Sequence, residues 1–409
     1  MRKALLLLLL FFCILPEGYG CTSVVVSGKI TPDGRPLLWK NRDTDILQNS
    51  VKFFKGERYS FIGIVNSTSR HPKEVWMGTN SAGFSIMNTQ SYNLEKVTDE
   101  DDPGPSNGKV VARALAICAT VQDFRHYLDT IAKPSGIEAN IGVIDAKGGA
   151  AMFEIGYTKY TYYDANDPKD APYGYIARTN FSFSGEENTG GGYVRFATEE
   201  AALRTEAAKN GITPQWIFRS LSRSFVNAQL GIDLCGKQYP SPVTNGWFVD
   251  QDFIPRSITA CSVVVQGVKK GENPDLTVMW TALGYPPVSV AFPFLVKYAA
   301  TSLPVLFTSS PAEKVTPFGQ KVDALKKRVF SFDRGTGSGK YLHWEALYNT
   351  KGDGIMQQLA PVEDEIFRRS AQPIDRWREK GKVSESELKA LYDDLSSYVT
   401  ERYRTLFGV

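Results

Sequence analysis

Cys21 is the residue with the most chemical potential in this chain. An apolar run from Ala4 to Leu15 precedes it, introduced by Arg2 and Lys3, broken by Pro16 and followed by Gly18 and Gly20. That three-part pattern reads as a secretory leader, too short to span a bilayer, and cleavage after Gly20 makes Cys21 the first residue of the mature chain. A Cys at a free N-terminus carries a nucleophile and a base in one residue. Its thiol titrates near ~8.5 and is intrinsically nucleophilic. Its α-amine, with an ordinary pKa of roughly 7.7–8.0, can take the thiol proton. Such a site needs a carboxylate or amide to orient the amine, a cation to favour the thiolate and neutral donors for the oxyanion. Trp39-Lys40-Asn41-Arg42-Asp43 offers these groups. Asp43 could orient the amine, and Lys40 or Arg42 could supply the cation. Strand alternation puts Asn41 and Asp43 on one face and Lys40 and Arg42 on the other. A second reading of Cys21 is a lipidated N-terminus. Gly18 and Tyr19 fit a lipoprotein signal poorly, and Thr22-Ser23-Val24-Val25-Val26-Ser27 follows as a strand where a flexible tether is usual.

Other chemistries find less support. The chain has three His, at 71, 126 and 343, and five Cys, so a multi-Cys/His zinc site is disfavoured. Arg334-Gly335-Thr336-Gly337-Ser338-Gly339-Lys340 fails the phosphate-loop spacing, with Tyr341 in place of Ser/Thr. There is no Gly-x-Ser-x-Gly elbow, no His-Glu-x-x-His and no Cys-x-x-Cys. The 47 basic residues nearly balance the 44 acidic ones over 409 residues, which gives no electrostatic reason to expect nucleic acid. A hydrophobic share of 42% excludes a disordered chain. Cys118 reads as a buried small hydrophobe in a helix, and a Cys235–Cys261 disulfide is open in an oxidising compartment.

The elements that must position Cys21 are strands first. Cys21–Ser27 and Pro36–Asn41 read as a hairpin about Thr31-Pro32-Asp33-Gly34. Strands are expected at Phe61–Val65, Val75–Gly78 and Phe84–Thr89, then helices at Lys109–Ala119 and after Thr120, capped with Asp123. Ala139–Asp145 and Ala150–Ile155 form a hairpin, and Tyr173–Asn180 is a strand. Helices follow at Thr198–Lys209 and Pro214–Val226, strands at Ser257–Gly267 and Leu276–Ala282, and mostly helix after Phe318. Ser384 with Glu387 caps the last helix. Strands and helices in blocks point to an α+β fold.

The opening Cys21-Thr22-Ser23 with Lys40-Asn41-Arg42-Asp43 resembles the N-terminal-nucleophile hydrolases of linear amides. These include choloylglycine hydrolases, penicillin V acylases, isopenicillin N acyltransferase-like proteins and a dipeptidase family. Lys40 stands where that family usually has Arg. Further matches follow in the family's order: Gly78-Thr79-Asn80-Ser81-Ala82-Gly83-Phe84, Asn88, Ile141–Glu154, Arg178-Thr179-Asn180 and Met279–Pro286. The resemblance covers residues 21 to about 293. It implies an αββα sandwich of two stacked antiparallel sheets, with a helical C-terminal extension. It implies catalysis by Cys21, Lys40, Asp43, Asn88 and Asn180, with neither metal nor organic cofactor. The expected organisation is a leader at 1–20, a catalytic domain at 21–309 and a mostly helical region at 310–409 packed on it. The expected activity is hydrolysis of a small-molecule amide, such as an N-acyl amino acid or conjugated bile salt, by an exported protein without a transmembrane segment. A homo-oligomer is open, as are a dipeptidase with the same mechanism and a lipid-anchored binding protein. Arg195 and Arg256 are candidate carboxylate binders or surface residues.

Overall fold

The computed structural model describes residues 20–69, 72–95, 106–236, 246–250, 252–309, 313–330 and 341–409. Residues 1–19 of the expected leader and the 334–340 segment that fails the phosphate-loop spacing lie outside them. Two antiparallel sheets form the centre. The first contains β1 (Thr22–Val26), β2 (Leu37–Asp43), β10 (Tyr175–Arg178), β11 (Thr259–Gln266), β12 (Val278–Leu283) and β13 (Phe292–Phe294), in the order β10-β1-β2-β11-β12-β13. The second runs β3 (Asn49–Phe54), β4 (Phe61–Asn66), β5 (Met77–Asn80), β6 (Ser85–Gln90), β7 (Ala139–Ile144), β8 (Ala150–Ile155) and β9 (Tyr160–Asp164), in chain order.

Side-chain alternation explains how these sheets stack. Met87 and Met152 join Val25, Leu38 and Val264 in one core between the sheets. Their strand neighbours Ile86 and Phe153 turn the other way. They pack under α1 (Asn107–Ile117) and α2 (Val121–Thr130) in a second core with Val111, Leu115, Phe124 and Leu128. Gly142 lets the sheets approach, because a Cβ there would stand 2.4 Å from Met87 and 2.8 Å from Val25. Helix α3 (Tyr193–Ala207) and the Pro214–Ser222 turns lie against the first sheet. Helices α4 (Pro317–Val329), α5 (Ile355–Lys380) and α6 (Glu385–Phe407) share its core through Val322, Ile366, Trp377 and Tyr403. The chain is thus α+β with an αββα layering. β1 is buried along its whole length, on both faces of the sheet, which is why Val24-Val25-Val26 does not alternate with polar residues.

Several expectations need correction. The expected Pro214–Val226 helix ends at Ile217 and continues as one wide π-turn, Phe218–Ser222. Ser384 does cap α6, accepting from the Glu387 N–H at 3.4 Å, but the Glu387 carboxylate turns to Trp377 Nε1 at 2.5 Å instead of closing a box. Cys118 ends α1 and stands at its C-cap, although it is buried as expected. Cys235 and Cys261 are both free thiols, so they form no disulfide. Cys261 faces Asn49 Oδ1 at 3.5 Å inside the sandwich.

Candidate active site

The β1–β2 hairpin forms as its turn residues predict. Gly34 takes φ +71°, and the Asp33 side chain accepts from the Arg35 N–H at 3.2 Å. The register sets Ser23 opposite Lys40 and Thr22 opposite Asn41. Carried one step further, it places Cys21 opposite Arg42. Directly opposed residues share a face, so Cys21, Ser23, Lys40 and Arg42 point the same way. That face meets the second sheet, where Thr89 Oγ1 donates to Ser23 Oγ at 2.8 Å.

A cavity of about 440 Å³ opens there, lined by Cys21, Lys40, Arg42, Asp43, Asn66, Trp76, Asn88, Gln90 and Tyr92, with Asp45 and Glu74 also contributing. Four of the five expected site residues therefore converge. The fifth, Asn180, does not line this cavity and stands instead at Gly20. A Cβ at Gly20 would lie 2.5 Å from Asn180 Oδ1, 2.6 Å from Arg195 Nη2 and 2.8 Å from Arg256 Nη2.

Lys40 is fully buried. Its ammonium donates to Asn88 Oδ1 at 3.0 Å and to the Trp76 carbonyl at 3.2 Å. Burial pushes its pKa down, and the nearby Cys21 sulfur pulls it back up. An ammonium has no acceptor, so the amide oxygen of Asn88 must face it. The Asn88 NH2 group is thereby turned away from Lys40 and makes no hydrogen bond among the described residues. It is a fixed, neutral donor on the cavity that holds Cys21. Tyr92 stands nearby, its phenol pushed up to about 12 by burial.

Asp43 is held by groups on its own side of the junction. Its carboxylate accepts from Arg256 Nη2 at 2.6 Å, from Arg256 Nε at 3.0 Å and from Thr259 Oγ1 at 2.6 Å. No hydrogen bond joins it to the Cys21 nitrogen, which here is still in peptide linkage with Gly20. Arg256 Nη2 also donates to the Gly20 carbonyl at 2.9 Å, so one guanidinium separates Asp43 from the Gly20–Cys21 bond. Asn41, on Asp43's face, donates to Asp43 Oδ1 at 3.3 Å. Arg195 holds the other side of the junction. Its Nη1 donates to the Cys21 carbonyl at 2.8 Å and to Thr22 Oγ1 at 2.7 Å, and its Nη2 to Asn180 Oδ1 at 2.7 Å. Burial and the neighbouring Arg256 lower its pKa to about 10.

Arg195 and Arg256 therefore flank the Gly20–Cys21 junction, where the sequence left surface roles open. Thr259, Trp76 and Tyr92 were missed, and no local pattern marks them. Asn80, inside a matching motif, is structural. Its amide donates to the carbonyls of Leu115 and Cys118 and accepts from Ala82 and Phe84, tying the hairpin to α1. Glu154 is likewise paired with Arg178 at 2.6 Å. Trp280 stacks on Phe367 of α5 with centroids 4.3 Å apart, outside the cavity. Asn180 is buried, at 1% exposure. His126 is exposed on α2 and His343 stacks on Trp247, so no described His lines the cavity.

No protein-family model and no curated protein matches the chain. Solved amide hydrolases are similar to it. A penicillin V acylase from Agrobacterium tumefaciens is 15% identical, over 68% of this chain and 86% of that one, at a TM-score of 0.39. A point variant of conjugated bile acid hydrolase from Clostridium perfringens is 12% identical, over 64% of this chain and 89% of that one, at a TM-score of 0.39. A Caenorhabditis elegans ortholog of N-acylethanolamine-hydrolyzing acid amidase is 15% identical, over 62% and 93%, at 0.36.

Proposed function

We propose that this chain is the precursor of an exported N-terminal-nucleophile amidohydrolase that cleaves a linear amide through a thioester on Cys21. The supporting observation is the cavity that joins Cys21 to a Lys40-anchored Asn88 donor with no described histidine on its wall. Cleavage of the Gly20–Cys21 bond frees the α-amine and releases Arg256 from the Gly20 carbonyl. The amine takes the thiol proton, and Sγ attacks the substrate carbonyl carbon. The Asn88 NH2 group donates to the resulting oxyanion, while Asn180, whose amide donates to the Gln90 carbonyl at 2.8 Å and accepts from Arg195 at 2.7 Å, positions the junction beside Cys21. Collapse breaks the C–N bond, and the leaving amine departs with the proton. Water, deprotonated by the same α-amine, then attacks the thioester, releasing the acid and restoring the thiol. Asp43 holds the amine in its ammonium form between these steps, with Thr259 and Arg256 fixing the carboxylate.

The test is turnover of a panel of N-acyl amino acids, bile-salt conjugates, penicillin V and dipeptides. Cys21→Ser should reduce activity strongly and Cys21→Ala should abolish it. Full turnover by Cys21→Ala would overturn the mechanism. Hydrolysis confined to dipeptides would make the enzyme a dipeptidase on the same machinery.

A further inference from the structure

Three other buried arginines have acids beside them. Arg178 pairs with Glu154 at 2.6 Å, Arg223 with Glu363 at 2.6 Å, and Arg35 with Asp33 at 3.2 Å. Arg42 does not. It is 4% exposed, yet no carboxylate lies within ion-pair distance of it among the described residues. Asp43, its chain neighbour, is paired with Arg256 instead. The groups that hold Arg42 are all neutral. Asn49 Oδ1 accepts from Nη1 at 2.9 Å, Asn66 Oδ1 accepts from Nη2 at 3.1 Å, and the guanidinium lies over the Trp76 ring at 4.6 Å. These contacts fix the plane of the fork without cancelling its charge. Asp45 and Asp43 act on it only from beyond ion-pair distance, and a buried cation with no acid in contact is costly and calls for an anion. Arg195 is also buried without an acid, but it is engaged on the Cys21 carbonyl, Thr22 and Asn180, away from the cavity wall. Lys40 is engaged on Asn88 and Trp76. Arg42 is left as the oriented cation of the cavity, on the same face as Cys21.

We propose that Arg42 is the specificity residue of this site and binds a free carboxylate on the amide substrate. A guanidinium fork matches a carboxylate in two parallel hydrogen bonds, which a lysine could not provide. The substrate class is thus an amide carrying a carboxylate near the scissile bond. Neutral amides of the same size bind the same cavity without that anchor. This inference rests on Cys21 being the nucleophile, but not on turnover.

The test uses two alkylating reagents of nearly equal size, iodoacetate and iodoacetamide. Each transfers its CH2 group to the Cys21 sulfur with loss of iodide, and peptide mass mapping separates Cys21 from the other thiols. The ratio of the two rates cancels any change in thiolate content. The expected iodoacetate-to-iodoacetamide ratio is about tenfold above that of a short Cys-Thr-Ser peptide, equivalent to about 1.4 kcal/mol. Arg42→Met should remove most of that preference, and Arg42→Lys should keep part of it. A wild-type ratio equal to the peptide's overturns the proposal, whatever the variants' folding. So does an unchanged ratio in folded Arg42→Met. A chain that shows the preference but hydrolyses no amide would overturn the proposed enzyme and leave Arg42 as an anion receptor.

Discussion

Asn88 and Lys40 act as one device at the residue scale. Lys40 can only donate, so it fixes which end of the Asn88 amide is left for the cavity that holds Cys21. Replacing Asn88 by Ala should lower kcat by about 10²–10³-fold, the usual effect of losing one oxyanion donor. Lys40→Met should lower kcat through the freed Asn88 while leaving the Cys21 thiol in place, which an alkylation assay would show. Asp250 sets a pH-dependent stability instead. Burial raises its pKa to about 7, against the hydrogen bond from the Ser257 N–H and the nearby Arg256. A raised carboxyl binds its proton more tightly in the folded chain than in the unfolded one. Its stabilising contribution is therefore full below the ordinary carboxyl range and is lost as pH rises from about 4 to about 7. Asp250→Asn should remove a loss on the order of 2–4 kcal/mol across that window. Urea midpoints of both proteins at pH 5 and pH 8 would measure it.

At the scale of elements, the C-terminal helices are tied to the sheet by tyrosines. Tyr392 on α6 accepts from the Leu295 N–H at 3.0 Å, just after β13, and Tyr403 donates to the Val288 carbonyl at 3.0 Å. Tyr392→Phe strands a buried N–H and should cost about 1–3 kcal/mol, read as a lower urea midpoint with an unchanged slope. The sequence made local features legible. The Thr120–Asp123 capping box, the Asp33-Gly34 turn and the facing of Lys40 and Arg42 need only neighbours in the chain. β3 was missed because Asn49-Ser50-Val51-Lys52-Phe53-Phe54 alternates weakly and owes its pairing to β4. The Arg256–Asp43 pair joins residues 213 positions apart, and nothing near either one announces the other. The same holds for Arg195 and the Cys21 carbonyl, which meet only because β10 pairs with β1 and α3 follows β10.

For the molecule as a whole, the described C-terminal segments, 313–330 and 341–409, are not an appendage. Leu325, Ile366, Trp377 and Tyr403 belong to the same hydrophobic core as Val25 and Leu38 of the hairpin that carries the site. Among the described residues no helix is long and apolar enough to cross a membrane. Intact mass of the purified mature protein separates the two readings of Cys21. A chain beginning with an unmodified Cys21 fits the hydrolase, whereas a lipid adduct or an acylated amine removes the proposed base.

The hold of Arg256 on the Gly20 carbonyl has a consequence for timing. Gly20 and Cys21 are both buried, with three polar side chains crowding the space a Cβ at position 20 would occupy. An external protease needs its target bond accessible, and the folded junction is buried. On the proposed function, severing the Gly20–Cys21 bond is therefore an event with a deadline. It is completed while the chain is still unfolded, or it falls to groups already inside the fold. Gly20→Val should disturb the second route most, because it changes the junction's seat and not the exposed leader.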